Sequence, residues 1–232
     1  MPTDTQKELA LLAEEVSACA LCPRLVAWRE EAAANPPRRY RAWQYWARPV
    51  PGFGDPRARI VVVGLAPGAH GANRTGRPFT GDRSGQWLYA AMHSAGLASQ
   101  PTSTDRDDGL RLRDAYVTAV VRCAPPANRP APAERDRCLP YLDRELRMLE
   151  RARVLVALGA FAWDGTLLAL RGLGHEVPRP KPRFTHGAEV EIGPYVMLGC
   201  YHVSQQNTFT GKLTREMLDA VFARACGIVS GS

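Results

Sequence analysis

The chain reads Ile60-Val61-Val62-Val63-Gly64 and continues Leu65-Ala66-Pro67-Gly68-Ala69-His70-Gly71-Ala72-Asn73-Arg74-Thr75-Gly76-Arg77-Pro78-Phe79-Thr80-Gly81-Asp82. The first five residues are an apolar, β-branched run, which is typical of a strand buried on both faces. A long glycine-rich loop follows, and a helical pattern begins near Ser84. Strand, loop and helix in this order predict a βα unit, and ligands bind where such strands end. The loop is too long to serve only as a connection.

Three further apolar runs predict strands over residues 115–121, 154–159 and 195–200. Helical patterns cover residues 84–94, 133–151, 161–170 and 213–225. Strands that alternate with helices predict an α/β fold with a parallel sheet covered on both faces.

Two helices are expected at the N-terminus, over residues 6–17 and from Pro23 to about residue 34. Residues 38–46 hold four aromatic side chains among arginines, and a packed aromatic helix over the core is favoured there over a nucleic-acid platform. Residues 99–113 and 171–187 are expected to be surface loops, and contact with phosphates is an alternative for the second.

The bulk composition suits one α/β domain of 232 residues. The polar N-terminus has no signal-peptide core and no apolar run is long enough to span a membrane, so a cytoplasmic protein is expected. A net charge of +7 makes nucleic acid the first candidate partner, although a basic enzyme without such a partner would look the same. Nearly all the positive charge is arginine, which suits bidentate contacts with phosphate.

Four of the six cysteines have the spacing of a metal centre. Cys19 and Cys22 form one pair, and Cys123 and Cys138 follow the second predicted strand. Spacing alone favours zinc at least as much as an iron–sulfur cluster. Such a centre would tie the N-terminal helices to the second strand and its helix, in a stabilising role remote from Gly64. The other two, Cys200 and Cys226, are expected to be core residues.

Two motifs carry a resemblance to a known family. The loop 64–82 resembles the first motif of family 5 (type B) uracil-DNA glycosylases, and residues 201–214 resemble their second motif. The four cysteines match the positions that hold a 4Fe–4S cluster in families 4 and 5. The likeness also includes residues 45–55 and 122–130, and it spans Cys19 to Thr214.

The resemblance implies one domain over residues 1–232, built as a three-layer α/β/α sandwich around a four-stranded parallel sheet. It implies a 4Fe–4S cluster that ties the N-terminal helical segment, about residues 5–48, to this domain. The implied partner is uracil-containing DNA, and nothing in the sequence requires more than a monomer.

The implied activity is DNA repair: the enzyme flips uracil out of DNA and hydrolyses the N-glycosidic bond, which leaves an abasic site. The residues expected to bind the base are Gly64, Ala66, Gly68, His70, Gly71, Phe79 and Asn207. The residues expected to contact DNA phosphates are Arg74, Lys212 and Arg215. Phe79 would stack on the flipped base, with a core position as the alternative. Residues 205–211 would enter the minor groove.

Catalysis must come from outside the usual position, because Leu65 stands where related families place a polar residue. Asp82 is the first candidate to stabilise the sugar cation and orient water, with a helix N-cap as its alternative role. Asn128 is the second candidate, with a turn as its alternative. His202 would donate a hydrogen bond to uracil O2 as negative charge develops there.

Two departures from the related patterns bear on substrate choice. Val203 stands where the second motif more often has proline, and residues 118–120 lack the asparagine by which family 4 enzymes read uracil. Fewer side-chain contacts to the base predict looser selection, so hypoxanthine is an expected second substrate.

Three rival functions are open. One is a related protein that binds uracil-DNA and traps it covalently or does not turn over, although the chain lacks the basic insert of a trapping relative after the first motif. Another is a nucleotide-phosphate-binding protein, but the loop fits neither common phosphate-binding pattern. The third is a non-catalytic DNA-binding module stabilised by zinc.

Overall fold

Strand β2, Ile60–Gly64, lies near the middle of the sheet and all five of its residues are buried. The computed structural model describes residues 3–231. The other strands are β1 Phe53–Gly54, β3 Ala115–Ala119, β4 Val154–Leu158, β5 Glu189–Ile192 and β6 Tyr195–Cys200. They form one sheet in the order β1-β3-β2-β4-β6-β5. The four predicted strands β2, β3, β4 and β6 pair in parallel, as expected.

The structure adds two antiparallel edge strands to the four-stranded parallel sheet predicted from the sequence. Strand β1 pairs with β3 over two residues, and β5 pairs with β6. A two-residue strand in a proline-rich segment has no periodicity to detect, and β5 exposes two glutamates. Both strands form only because a neighbour offers unpaired backbone groups.

Helices cover both faces of the sheet and complete three layers. Their bounds are α1 Asp4–Ala18, α2 Pro23–Ala34, α3 Ala72–Thr75, α4 Arg83–Ser94, α5 Pro132–Met148, α6 Ala160–Gly172, α7 Gln205–Phe209 and α8 Arg215–Ser230. Side chains of β2 alternate between the layers, with Val61 and Val63 in the core under α5 and α6. Ile60 and Val62 join the second core under α4 and α8. No helix within residues 3–231 has the length and apolar character that crossing a membrane requires.

Residues 38–46 do not form the packed aromatic helix expected from the sequence, so that expectation is wrong. Only Arg38–Tyr40 makes a short 3-10 turn, and the rest is irregular. The segment lies on the surface, and Trp43 is 39% exposed. Arginine guanidinium groups, rather than the core, cover the aromatic faces.

The polar stretch 99–113 is irregular, as expected, but it is not simply a solvated surface loop. Ser103, Leu110 and Leu112 are buried, and Ala98 forms an isolated antiparallel bridge with Leu112. This stretch packs against the loop that follows β2, through the hydrogen bond from Gly81 N–H to the Ser103 carbonyl, 2.9 Å. It therefore supports the site loop.

Candidate active site

A pocket opens at the carboxyl ends of β2 and β3. The pocket is lined by Val50, Ala66, Pro67, Gly68, Ala72, Pro78, Phe79, Asp82, Ser84 and Ala119. The glycine-rich loop predicted to bind a ligand therefore forms most of the wall. Four of the predicted site residues, Ala66, Gly68, Phe79 and Asp82, meet there.

Phe79 is half-buried and lies directly over Gly64. A Cβ on Gly64 would come within 2.6 Å of the Phe79 ring, so only glycine leaves room for this stacking position. Phe79 has a φ of 49°, in the left-handed region that is unfavourable for a bulky residue. Its ring centroid lies 6.1 Å from that of His202. The ring packs on the core edge and also lines the pocket, and its stacking on a flipped base stays a prediction.

Asp82 caps helix α4 and faces the pocket at the same time. Its Oδ1 accepts a hydrogen bond from the Gly85 N–H, 3.0 Å. A Cβ on Gly71 would lie only 2.0 Å from Asp82 Oδ2, so the second oxygen approaches the Gly71 backbone. Burial raises the pKa of Asp82, and hydrogen bonds from the Gly85 and Ser84 N–H groups oppose that shift. Asp82 can cap α4 and also present a charge to the pocket, because the capping hydrogen bond uses only Oδ1.

His202 follows β6 and is half-buried beside Phe79. Desolvation lowers the pKa of His202 to about 4, so the imidazole is neutral at pH 7. Asn207, expected to bind the base, instead donates from Nδ2 to the His202 carbonyl, 2.8 Å, and so braces the loop. Val203, in the position where proline is more usual, is completely buried and anchors the loop by its apolar side chain.

Two other predicted site residues lie outside the pocket lining. His70 shares a hydrogen bond with Tyr45, with 2.9 Å between Nδ1 and the phenol oxygen, and burial lowers its pKa. Asn128 is exposed at a φ of 55°, which is the turn conformation considered for it. No contact between Asn128 and the pocket is present, so its catalytic role stays a prediction.

Arg74 lies inside the loop rather than on the surface. It is 3% exposed, and it donates to the carbonyls of His70 and Gly81 at 2.9 and 2.7 Å. These bonds tie the beginning of the loop to its end. The hydrogen bonds of Arg74 therefore brace the loop. A phosphate contact by Arg74 stays a prediction.

Exposed cations surround α7. Lys212 and Arg215 lie over the rings of Tyr201 and Trp87, at 4.9 and 4.3 Å from the ring centroids. Arg83 covers Phe209, whose ring is 64% exposed. Arg83 and Phe209 could not be paired from the sequence, because they are 126 positions apart and no local pattern joins them. An isolated phenylalanine in the polar motif 201–214 was the available signal.

The four predicted cysteine ligands line one cavity. Cys19 and Cys22 flank the turn between α1 and α2, Cys123 follows β3, and Cys138 lies in α5. Burial raises the pKa of Cys123 to about 11 and of Cys138 to about 12, which makes them poor thiolates unless a positive centre compensates. Within residues 3–231 no three His, Cys, Asp or Glu side chains are arranged to hold a single metal ion.

Hydrogen-bond donors point at the sulfurs of this cavity. Arg29 Nη1 donates to Cys123 Sγ and the Arg122 N–H donates to Cys138 Sγ, both at 3.2 Å. Such donors stabilise sulfur that carries negative charge. The cavity is therefore chemically suited to thiolates held by a metal centre.

A buried ion pair lies between this cavity and the pocket. The Arg122 guanidinium donates to both oxygens of Glu145, one of them at 2.9 Å, and both residues are almost completely buried. Thr118 on β3 donates to the same carboxylate, 2.6 Å. The Thr118 hydroxyl is therefore bonded to Glu145 inside the core. The neighbouring residue in the pocket wall is Ala119, whose side chain is apolar. The sequence analysis did not anticipate this pair.

Comparison with known proteins agrees with this geometry. The sequence profile of the Uracil DNA glycosylase superfamily matches residues 51–225. The chain is 56% identical over 212 residues to the Type-5 uracil-DNA glycosylase of Mycobacterium bovis, which covers 90% of this chain and 78% of that protein. It is 53% identical over 215 residues to the Type-5 uracil-DNA glycosylase of Thermus thermophilus, covering 91% and 94% of the two chains.

A more distant relative is the Type-4 uracil-DNA glycosylase of Archaeoglobus fulgidus, with 40% identity over 114 residues and 49% of each chain covered. The superfamily match over residues 51–225 includes both motifs, 64–82 and 201–214. The chain therefore belongs to the uracil DNA glycosylase superfamily and, within it, to the type-5 uracil-DNA glycosylases.

Proposed function

We propose that this uracil-DNA glycosylase binds the flipped base in the pocket at the ends of β2 and β3, with Phe79 stacked on its face. The observation that carries the proposal is the position of the Phe79 ring, which lies over Gly64, lines the pocket together with Asp82 and lies beside His202. A flipped base requires an apolar surface for stacking and a few polar groups for its edge. The glycine-rich loop lets backbone N–H groups approach that edge.

In the proposed reaction the C1′–N1 bond breaks and its electron pair leaves with the uracil. Neutral His202 donates a hydrogen bond to the O2 oxygen on which negative charge develops. The Asp82 carboxylate stabilises the positive charge on the sugar. A water molecule then bonds to C1′ through its oxygen, and the proton it loses neutralises the uracil anion, which leaves an abasic site and free uracil. Asp82 is the first candidate to orient this water, and Asn128 is the second.

We propose hypoxanthine as a second substrate. The wall next to the base is Ala119, and the neighbouring Thr118 donates its hydroxyl to Glu145 rather than to a ligand. A site with few side-chain contacts to the base edge discriminates weakly between deaminated bases.

The cysteine cavity is suited to a 4Fe–4S cluster held by Cys19, Cys22, Cys123 and Cys138. All four cysteines line one cavity, and cysteine thiolates are the ligands that hold such clusters. When bound, the cluster supplies a crosslink between distant parts of the chain. The cysteines then join the turn between α1 and α2 to the end of β3 and to α5, which makes the N-terminal helices part of one domain.

DNA would approach the exposed cations around α7. The aromatic ring of Phe209 and the side chains of Arg83, Lys212 and Arg215 lie at the same end of the sheet as the pocket. Phosphate contacts from these cations would position the duplex, while α7 enters the minor groove. All groups required for the reaction come from one chain, so we expect a monomer to act.

The test is incubation with duplex DNA that contains uracil or hypoxanthine, followed by alkali. An enzyme leaves alkali-labile abasic sites at both bases, and Phe79→Ala reduces excision of both. Retention of the DNA on the denatured protein would instead identify a covalent trap. Cleavage at uracil with untouched hypoxanthine would contradict the proposed substrate range alone. Absorption near 400 nm with bound iron supports the cluster, and bound zinc contradicts it.

A further inference from the structure

Residues 38–48 form a surface segment that the proposed reaction does not use. Its aromatic rings alternate with guanidinium groups. Arg74 lies between the rings of Tyr40 and Trp43, at 4.2 and 4.0 Å from their centroids. Arg106 covers Trp46 at 4.5 Å. Stacks of this kind are a common way to hold nucleic-acid bases without reading their sequence.

This segment lies next to the pocket loop. The N–H groups of Trp46 and Ala47 donate to the carbonyls of Arg74 and Asn73, at 2.9 and 3.0 Å. Tyr45 shares a hydrogen bond with His70 of the same loop. The segment leads into β1 beside β3, whereas α7 follows β6 on the other side of the parallel sheet. The pocket is therefore flanked by cationic surfaces on both sides.

The charge of the segment is strongly positive and is not neutralised. Arg38, Arg39, Arg41 and Arg48 are exposed, and none of them forms an ion pair within residues 3–231. A groove beside the segment is lined by Arg48, Arg74 and Arg106 and also by Asp105 and Asp107. We therefore expect phosphates to contact the exposed arginines of the segment rather than the part of the groove that holds the two carboxylates.

Arg74 supplies an independent observation. Its side chain is almost completely buried, yet its Nη1 atom has no hydrogen-bond partner. A buried guanidinium donor without an acceptor is costly. Trp43, which covers this group, is the most exposed aromatic ring of the segment. A ligand oxygen that enters beside Trp43 would satisfy the donor.

We infer that residues 38–48 bind the uracil-carrying strand on one side of the flipped nucleotide. An unpaired flanking base stacks on Trp43, and the adjoining phosphates contact Arg38, Arg39 and Arg41. This inference rests on the proposed base pocket, because the segment can serve the same strand only if the flipped base enters there. The surface increases affinity and takes no part in bond cleavage.

The test measures binding of the full-length protein to a duplex with a stable abasic-site analogue, by fluorescence anisotropy at several salt concentrations. Trp43→Ala should weaken binding about 5- to 20-fold, and Trp43→Phe should restore it. Replacement of Arg38, Arg39 and Arg41 together by alanine should lower the salt slope by about 2 to 3. Single-turnover excision at saturating DNA should stay unchanged.

Two controls replace exposed residues outside the segment. Leu11→Ala removes an exposed apolar side chain from α1, and Arg151→Ala removes an exposed arginine before β4, at the opposite end of the sheet. Both should bind like the wild type. Shortening the strand that carries the abasic-site analogue, on the side that would contact Trp43, should weaken DNA binding by the wild type but not by Trp43→Ala.

The inference is overturned if Trp43→Ala and the triple arginine variant both bind within twofold of the wild type. A wild-type protein that leaves uracil in DNA would instead contradict the proposed function. Measuring excision and binding on the same preparations distinguishes the two failures.

Discussion

Arg77 and Asp108 form a buried ion pair, with 2.8 Å between Arg77 Nη2 and Asp108 Oδ2. Arg77 belongs to the pocket loop and Asp108 to the polar stretch before β3. Arg77 also donates to Thr80 Oγ1 and Ser103 Oγ, both at 2.9 Å. The pair therefore holds the part of the loop that carries Phe79 in its unfavourable conformation.

We expect Asp108→Asn to destabilise the protein by about 2–4 kcal/mol, because it leaves the buried Arg77 charge without its partner. The Michaelis constant for uracil-DNA should rise, since Phe79 loses its support. Thermal unfolding and steady-state kinetics measure the two effects. Asp107→Asn, one position away and exposed, is the control and should change neither. Equal stability of both variants would contradict the role assigned to the pair.

The pKa of Asp108 predicts how this stability depends on pH. Burial alone would raise the pKa, but the Leu110 N–H, the Arg77 guanidinium and two further N–H groups together hold it below its usual value. The stabilisation that the Asp108 carboxylate contributes is therefore fully present above the ordinary aspartate pKa of about 3.8. It is lost as the pH falls through the lower pKa that Asp108 has in the folded protein. Acid unfolding of Asp108→Asn should lack this component.

The two oxygens of Asp82 predict that capping and catalysis can be separated. Asp82→Asn keeps an N-cap acceptor for Gly85, so stability should change by less than about 0.5 kcal/mol, whereas Asp82→Ala should lose about 1 kcal/mol. Both should reduce the single-turnover rate by about 100-fold or more, because the charge near the sugar is lost. A fully active Asp82→Asn would leave Asp82 with the capping role alone.

The raised pKa of Asp82 adds a pH signature to that experiment. The carboxylate is the active form, so the wild-type rate should rise with pH through a value above that of an ordinary aspartate. The residual rate of Asp82→Asn should lack this acid limb. If the acid limb of the pH–rate profile is also present in Asp82→Asn, it must come from a group other than Asp82.

His202 should remain neutral throughout the pH range in which the enzyme works. Its pKa of about 4 means that the unfolded chain, with a pKa near 6.5, binds more protons between these values. The free energy of unfolding should therefore rise with pH across this window and reach its full value above about 6.5. Imidazole resonances followed by NMR should show one midpoint near 4, which is absent from His202→Gln. A midpoint near 6.5 for His202 would contradict its burial.

The cysteines offer a comparison within one chain. Cys123→Ser should lose absorption near 400 nm and bound iron, and its melting temperature should fall because the crosslink between α2 and β3 is gone. Cys226→Ser should retain the metal and its stability, since Cys226 lies outside the cavity and only approaches the Ala95 carbonyl at 3.8 Å. Full iron content in Cys123→Ser would exclude Cys123 as a ligand.

The parallel strands, their order along the chain and the loop after Gly64 were predictable from residue patterns. Strands such as Ile60–Gly64 are buried on both faces, and continuous β-branched runs are a local signal. Cysteine spacing likewise predicted which four thiols share a cavity. These features depend on residues that are close in sequence or chemically distinctive.

The rest depends on contacts between distant residues. Arg77 and Asp108 are 31 positions apart, and Arg122 and Glu145 are 23 apart, so no period or motif links either pair. The conformation of residues 38–48 depends on guanidinium groups supplied by other segments, including Arg74. Two roles for Asp82 are open from the sequence, and only the folded loop places Oδ1 at the Gly85 N–H and Oδ2 against Gly71. Burial and partners arise when the elements pack together, and they set the charge state and orientation of the site.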